Sequence, residues 1–79
     1  MRLPRDLSGD ELIRILAHFG YQQVRQTGSH VRLENKTMEN EHHITIPRHQ
    51  NIRLGTLNSI LNDVATHLAI DKSEILKAR

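Results

Sequence analysis

The sequence contains no cysteine and almost no aromatic residues. Its 79 residues include one tyrosine, one phenylalanine and no tryptophan. Without cysteine the chain can form neither a disulfide framework nor a thiolate metal site, which is compatible with a reducing compartment. Aromatic residues make up 3% of the chain and hydrophobic residues 37%, so we expect an aliphatic core. This composition favours a small domain built from helices packed on a sheet.

Long apolar runs are also missing. No stretch approaches the roughly 20 apolar residues that span a membrane, and the N-terminal segment lacks the apolar centre of a secretory signal. We therefore expect a cytoplasmic protein with no membrane partner. The net charge is only +2, with 11 Lys and Arg against 9 Asp and Glu. This balance is compatible with a nucleic-acid partner but does not identify one.

The length predicts a single domain over residues 1–79, in which residues 71–79 form a C-terminal appendix. A chain this short buries only about 60–65% of its unfolded surface, so its core is marginal. A partner protein or a weak homo-oligomer would add buried surface.

Capping signals and apolar spacing predict three helices. Ser8-Gly9-Asp10-Glu11 is a capping box with acidic residues where the helix dipole favours them, and it predicts a helix over residues 9–19. A second helix is predicted from about Gly55, because apolar residues then recur on one face as far as Leu68. Residues 71–74 repeat the capping pattern and predict a short tail helix.

Three strands are predicted between the first two helices. Alternating apolar residues place them at 21–26, 29–35 and 41–46, and Pro47 ends the third. The sheet has one apolar face and each helix has one apolar stripe, so both helices are expected on the same side. The fold class is therefore α+β: α-β-β-β-α with a three-stranded antiparallel sheet and a short C-terminal helix. This arrangement resembles the double-stranded-RNA-binding domain.

A hairpin between the first two strands sets the geometry of the predicted site. With Thr27-Gly28 as a two-residue loop, Arg25 faces His30 and Val24 faces Val31. The two valines then share the core side of the sheet, and Arg25 and His30 share the open side.

The third strand adds two residues to the open side. Its two isoleucines must face the core, so His42 points inward with them. His43 and Thr45 then point outward, and strand pairing places Thr45 opposite His30 and His43 opposite Arg32. The open side is therefore predicted to present Arg25, His30, Arg32, His43 and Thr45.

His30 is the candidate general base. A histidine ordinarily titrates near pH 6.5, and neighbouring cations disfavour its charged form, so we expect a neutral imidazole. On RNA it would take the proton of a 2′-hydroxyl, whose oxygen would attack the adjacent phosphate. Arg25 and Arg32 would hold that phosphate and stabilise the developing charge. The simpler alternative is a solvated histidine between arginines that only keep the surface soluble.

The other histidines favour neither a second catalytic group nor a metal site. His43 is a candidate for the complementary acid, although an ordinary surface role is the simpler interpretation. His42 and His43 point to opposite faces, and no helix carries His-x-x-x-His, so the spacing argues against zinc. A metal ion would require His43, His30 and His49 to lie close together in the fold. We expect no metal and no cofactor.

Three segments are similar to the HicA toxins, the YcfA-like mRNA interferases of HicA–HicB toxin–antitoxin systems. The segments are Gly20 to His30, His43 to His49, and Leu54 to Leu61. The turn Gly28-Ser29-His30 is the most specific element, and the resemblance covers roughly residues 3–70.

The resemblance implies a fold like that of the double-stranded-RNA-binding domain, ribosome-independent cleavage of mRNA, and inhibition by a HicB-type antitoxin. The family's single catalytic histidine falls on His30, and the family gives less support to His43 or His49 as catalytic partners. Contacts with RNA are expected from Arg25, Ser29, Arg32, His43, Thr45 and Arg48. The chain departs from the family pattern in two ways. Glutamates lie around the second hairpin and are expected to weaken RNA affinity, and a tail follows the second helix.

Two other functions stay open from the sequence. One is a non-catalytic RNA-binding module of the same fold, and the other is a protein-interaction partner whose open face exists to be covered. Ordinary double-stranded-RNA-binding domains use a long loop between the first two strands and a lysine cluster at the second helix. Here the loop has two residues and Arg53 is the nearby cation, which argues against the binding module.

Overall fold

The computed structural model describes residues 2–79, and its elements follow the predicted order. They are α1 (Gly9–Ala17), β1 (Gln22–Thr27), β2 (His30–Lys36), β3 (Glu41–Pro47), α2 (Leu54–Leu68) and α3 (Lys72–Leu76). The strands form one antiparallel sheet in the order β1-β2-β3. The α+β class and the α-β-β-β-α order are confirmed. Within residues 2–79, no helix has the length and hydrophobicity that crossing a bilayer requires.

The capping box at the start of α1 forms in part as predicted. The Ser8 hydroxyl accepts a hydrogen bond from the backbone N–H of Glu11 at 3.1 Å. The helix ends at Ala17, two residues before the predicted end, because the backbone then tightens into i→i−3 hydrogen bonds up to Gly20. Gly20 has a φ of 90°, which reverses the chain into β1.

The core lies between the helices and one face of the sheet. The side chains buried there are Leu7, Leu12, Ile15, Leu16, Tyr21, Val31, Leu33, Ile44, Ile46, Ile52, Leu57, Ile60, Leu61, Val64 and Ile75. All except Tyr21 are aliphatic, as the composition predicts. Ile75 of α3 has no exposed surface, and Arg79 bonds to Glu11 of α1 at 3.2 Å. The C-terminal tail is therefore part of the packed structure.

The hairpin loop lies one residue later than predicted. Gly28-Ser29 forms the loop, and Arg25 pairs with Arg32. The predicted pairing of Arg25 with His30 is therefore wrong. The type of turn determines this register. Gly28 takes the first loop position with a φ of 58°, and the first position of a type II′ turn is the one that favours glycine.

The predicted pairing of Val24 with Val31 on the core side is also wrong. Val31 is buried, whereas Val24 is 51% exposed. The register shifts between Gln23 and Arg25, so Val24 lies at a β-bulge and leaves the ladder. All six residues of β1 are exposed, so this edge strand contributes no side chain to the core.

The third strand has the predicted side-chain directions but a different offset. Its two isoleucines are buried, and His43 and Thr45 are exposed. Thr45 lies opposite Arg32, and not opposite His30 as predicted. His43 lies opposite Glu34, and not opposite Arg32 as predicted. The offset moves by two residues, which preserves the face on which each side chain lies.

A cluster of polar side chains lies on the helix side of the sheet. Asn35, which is 5% exposed, donates to the Phe19 carbonyl at 2.9 Å and bonds to Nε2 of His67 at 2.9 Å. The Tyr21 hydroxyl bonds to Nδ1 of His42 at 2.6 Å. The His42 and His67 rings lie 4.9 Å apart between centroids. His42 thus points inward, as predicted.

Candidate nucleic-acid interface

The side of the sheet that faces away from the helices, here called the open face, carries four of the predicted site residues together. They line a depression of about 200 Å³ near the β1–β2 hairpin. The lining of this arginine depression consists of Arg25, Thr27, His30, Arg32 and Thr45. All five side chains belong to exposed residues, so a ligand can reach each of them.

Two arginines face each other in the arginine depression. Arg25 and Arg32 are directly paired across β1 and β2, a position where like charges destabilise a sheet. Within residues 2–79 neither arginine forms an ion pair with a carboxylate. His30 lies two residues before Arg32 on the same face, diagonal to Arg25 at about 7–8 Å. This arrangement attracts an anion, and a bound phosphate would relieve the repulsion.

His30 also lines a second and larger recess, here called the histidine cleft. Its volume is about 430 Å³, within the range of about 300–1,000 Å³ typical of ligand sites. Its lining consists of His30, Thr45, Pro47, His49, Ile52, Arg53 and Thr56. Pro47 and the almost fully buried Ile52 supply apolar surface, and the remaining side chains can donate or accept hydrogen bonds.

The chain after β3 brings His49 to this cleft. The N–H of Arg48 donates to the Ser29 carbonyl at 2.6 Å, so the segment continues beside the hairpin loop. The Arg48 guanidinium turns to α1 and donates to both carboxylate oxygens of Asp10, at 2.8 and 3.2 Å. This pairing raises the pKa of Arg48. Its neighbour His49 lines the histidine cleft, as His30 does.

Three of the residues predicted to contact RNA lie outside the arginine depression. Ser29 is exposed in the hairpin loop, next to His30. Arg48 is held against Asp10. Nε2 of His43 lies 2.6 Å from Oε1 of Glu41, at the far end of the open face.

One group of side chains in residues 2–79 has the composition of a metal site. The ligand atoms of Glu34, Glu41 and His43 lie within 4.8 Å of one another. Their contacts are already accounted for, since His43 bonds to Glu41 and Lys36 pairs with Glu34 at 3.1 Å. Neither His30 nor His49 belongs to this group, so the three histidines considered from the sequence do not converge on one ion.

Sequence reasoning missed part of the site. Thr27, Arg53 and Thr56 line the two recesses, and of these Arg53 lies outside the segments that the family resemblance singled out. The position of Arg53 depends on the path between β3 and α2, where no periodic pattern guides prediction. Its side chain makes no capping hydrogen bond to α2.

Fold and site together define a class, a small α+β domain whose open sheet face offers unpaired cations to an anionic ligand. The family model described as HicA toxin of bacterial toxin-antitoxin matches residues 9–65, which include all three strands and most of α2. The chain therefore belongs to the HicA toxin family, and it is a toxin domain of a toxin–antitoxin system. Searches of curated proteins and of solved structures gave no significant match.

Proposed function

We propose that this toxin is an endoribonuclease, an mRNA interferase that cleaves RNA without a metal ion and uses His30 as general base. The observation that carries the proposal is the position of an exposed His30 beside two unpaired arginines in the arginine depression. Membership of the HicA toxin family supports the same function.

The proposed reaction is a transesterification within the RNA chain. Arg25 and Arg32 bind the scissile phosphate, and His30 removes the proton of the neighbouring 2′-hydroxyl. The 2′-oxygen then attacks phosphorus and the bond from phosphorus to the 5′-oxygen breaks. The products are a 2′,3′-cyclic phosphate and a 5′-hydroxyl. The arginines stabilise the additional negative charge of the transition state, and DNA is not cleaved because it lacks the nucleophile.

The remaining predicted contacts lie around this centre. Thr45, opposite Arg32, and Ser29, in the hairpin loop, offer hydroxyl groups to phosphate or ribose oxygens. Arg48 contributes through its Nη1 group, because its Nε and Nη2 groups already donate to Asp10, which also offsets its charge. His43 contacts RNA that extends towards the β2–β3 hairpin.

A HicB-type antitoxin is the proposed inhibitor. The family model describes one component of a toxin–antitoxin pair, and the bare open face is where a partner protein would exclude RNA. The alternative function, a non-catalytic RNA-binding module, shares this face but does not need His30 as a base.

Replacement of His30 tests the proposed function. We expect His30→Ala to slow cleavage of single-stranded RNA by about 10²–10⁴-fold, because general base catalysis supplies a factor of that size. Expression of the variant should not arrest growth. The matched control is His18→Ala, since His18 is exposed at the C-cap of α1 and lines neither recess. Circular dichroism checks that both variants fold. A fully active His30→Ala protein would contradict the proposal.

The same assay in excess chelator tests independence from metals. Cleavage should persist in EDTA, because the proposed steps use only side chains. Loss of activity in EDTA would contradict metal-independent cleavage and would favour a metal site at Glu34, Glu41 and His43. A wild-type protein that binds RNA but never cleaves it would favour the non-catalytic module.

A further inference from the structure

Breaking the bond to the 5′-oxygen creates a strongly basic alkoxide unless a proton arrives at the same time. The proposed function assigns His30 to the 2′-hydroxyl, so His30 does not protonate the leaving oxygen in the same step. A second proton-bearing side chain near His30 would supply a further factor of about 10²–10⁴. The inference below rests on the proposed function and assigns that side chain.

The structure separates the histidines of the chain into three groups. His42, His43 and His67 use ring nitrogens in hydrogen bonds to Tyr21, Glu41 and Asn35. His18 is the C-cap residue of α1 and lines neither recess. That leaves His30 and His49, whose rings make no hydrogen bond within residues 2–79 and which line the same cleft.

The backbone that carries His49 is held from both sides. The His49 carbonyl accepts a hydrogen bond from the N–H of Gly9 at 2.9 Å. Its neighbour Arg48 is fixed by its bond to the Ser29 carbonyl and by its bonds to Asp10. The loop is therefore anchored to α1 and to the hairpin, while the imidazole is left free. A catalytic group needs this combination of a fixed backbone and an unengaged ring.

We propose that His49 is the general acid that completes the reaction begun by His30. As the 2′-oxygen attacks phosphorus, the protonated His49 ring gives its proton to the 5′-oxygen and the bond between phosphorus and that oxygen breaks. His30 leaves the step protonated and His49 leaves it neutral. Exchange of one proton with water returns both rings to their starting forms.

A leaving group that needs no proton provides the test. The preferred linkage is mapped on a long transcript, then placed in an oligonucleotide with a single ribonucleotide. A second oligonucleotide carries sulfur in place of the bridging 5′-oxygen. We expect His49→Ala to slow cleavage of the oxygen substrate by about 10²–10⁴-fold. On the sulfur substrate it should cleave about as fast as the wild type, because a thiolate departs without protonation.

Two further variants separate the possible outcomes. His30→Ala should be slow on both substrates, and His18→Ala, which follows α1 and lines neither recess, should match the wild type on both. If His49→Ala is equally slow on both substrates, His49 only positions RNA and the general-acid role is overturned. Wild-type speed on the oxygen substrate overturns any role for His49. A wild-type protein that cleaves neither substrate overturns the proposed function itself, and this inference with it.

Discussion

At the scale of single residues, the polar cluster of Tyr21, Asn35, His42 and His67 is the main exception to an aliphatic interior. Asn35 is nearly buried and uses its side-chain amide in two hydrogen bonds, which offsets the cost of burying it. Burial, with a smaller effect of the Asp63 charge, raises the pKa of Tyr21 to about 12. The phenol is therefore neutral at ordinary pH and stays bonded to His42.

His42 makes the stability of the fold sensitive to acid. Burial and, secondly, the nearby His67 lower the pKa of His42, although Asp63 acts in the opposite sense. The unfolded chain, with a histidine pKa near 6.5, then binds the proton more readily than the folded chain. The stabilising contribution is fully present above about pH 6.5 and is lost as pH falls through the lowered folded-state value.

Denaturant titrations at about pH 7.5 and about pH 5.5 measure this effect. We expect the wild type to lose free energy of unfolding at the lower pH and His42→Gln to lose less. The exposed His18→Gln variant should follow the wild type. Identical losses in all three proteins would show that His42 does not carry the dependence.

At the scale of elements, the start of α1 holds the segment that follows β3. Gly9 and Asp10 bond to His49 and Arg48 respectively. A Cβ atom at position 9 would overlap the Pro47 carbonyl oxygen and lie 2.8 Å from the Arg48 Cα atom. Glycine is therefore required here by the close approach of two backbones, and the same contact positions the histidine cleft.

Replacement of this glycine should loosen the fold. We expect Gly9→Ala to lower the free energy of unfolding by about 1–3 kcal/mol, the usual cost of overpacking. The control is Gly55→Ala in α2, where an added Cβ meets no atom within 4 Å and helix propensity favours alanine by up to about 1 kcal/mol. Urea unfolding measures both. A Gly9→Ala protein as stable as Gly55→Ala would refute the close-packing argument.

The strands show what the sequence determines and what it leaves open. Alternation of apolar residues predicted correctly that Arg25, His30 and Thr45 share the open face, because a side chain cannot change face without burying or exposing its neighbours. The offset between strands depends instead on which residues form the turn, and here Gly28 takes the first loop position. Four residues of the arginine depression were therefore predictable, whereas Thr27, which was expected in the loop, and the cross-strand pairs were not. The histidine cleft depends on the irregular path after Pro47, which no periodic pattern encodes.

At the scale of the whole molecule, the open face is divided by charge. The unpaired Arg25 and Arg32 lie near the β1–β2 hairpin, whereas Glu34 and Glu41 lie towards the β2–β3 hairpin. The net charge is only +2, but positive charge is concentrated locally near the β1–β2 hairpin. Cations are free for phosphates at the arginine end, whereas Lys36 and His43 at the other end lie against Glu34 and Glu41. This difference sets limits on how RNA can lie across the sheet.

Salt dependence tests this distribution. RNA binding is measured over a range of salt concentrations in the His30→Ala background, which prevents cleavage. Adding Arg25→Ala should flatten the plot of log K against log salt by about 0.7, the contribution of one phosphate contact on a single strand. Arg14→Ala, on the exposed surface of α1, should leave the slope unchanged. If both variants give the wild-type slope, Arg25 does not contact phosphate.

The exposure of β1 on both sides has a consequence for how long the site stays assembled. This strand is joined to the rest of the sheet by its ladder with β2 along one edge, and none of its six residues is buried. Detaching it therefore takes less free energy than unfolding the domain. Arg25 would detach with β1, so the arginine depression would lose one of its two arginines each time the strand separates from β2. His30 and His49 lie on other segments and would keep their positions. A phosphate of bound RNA that contacts both Arg25 and Arg32 would therefore stabilise the attachment of β1 to β2.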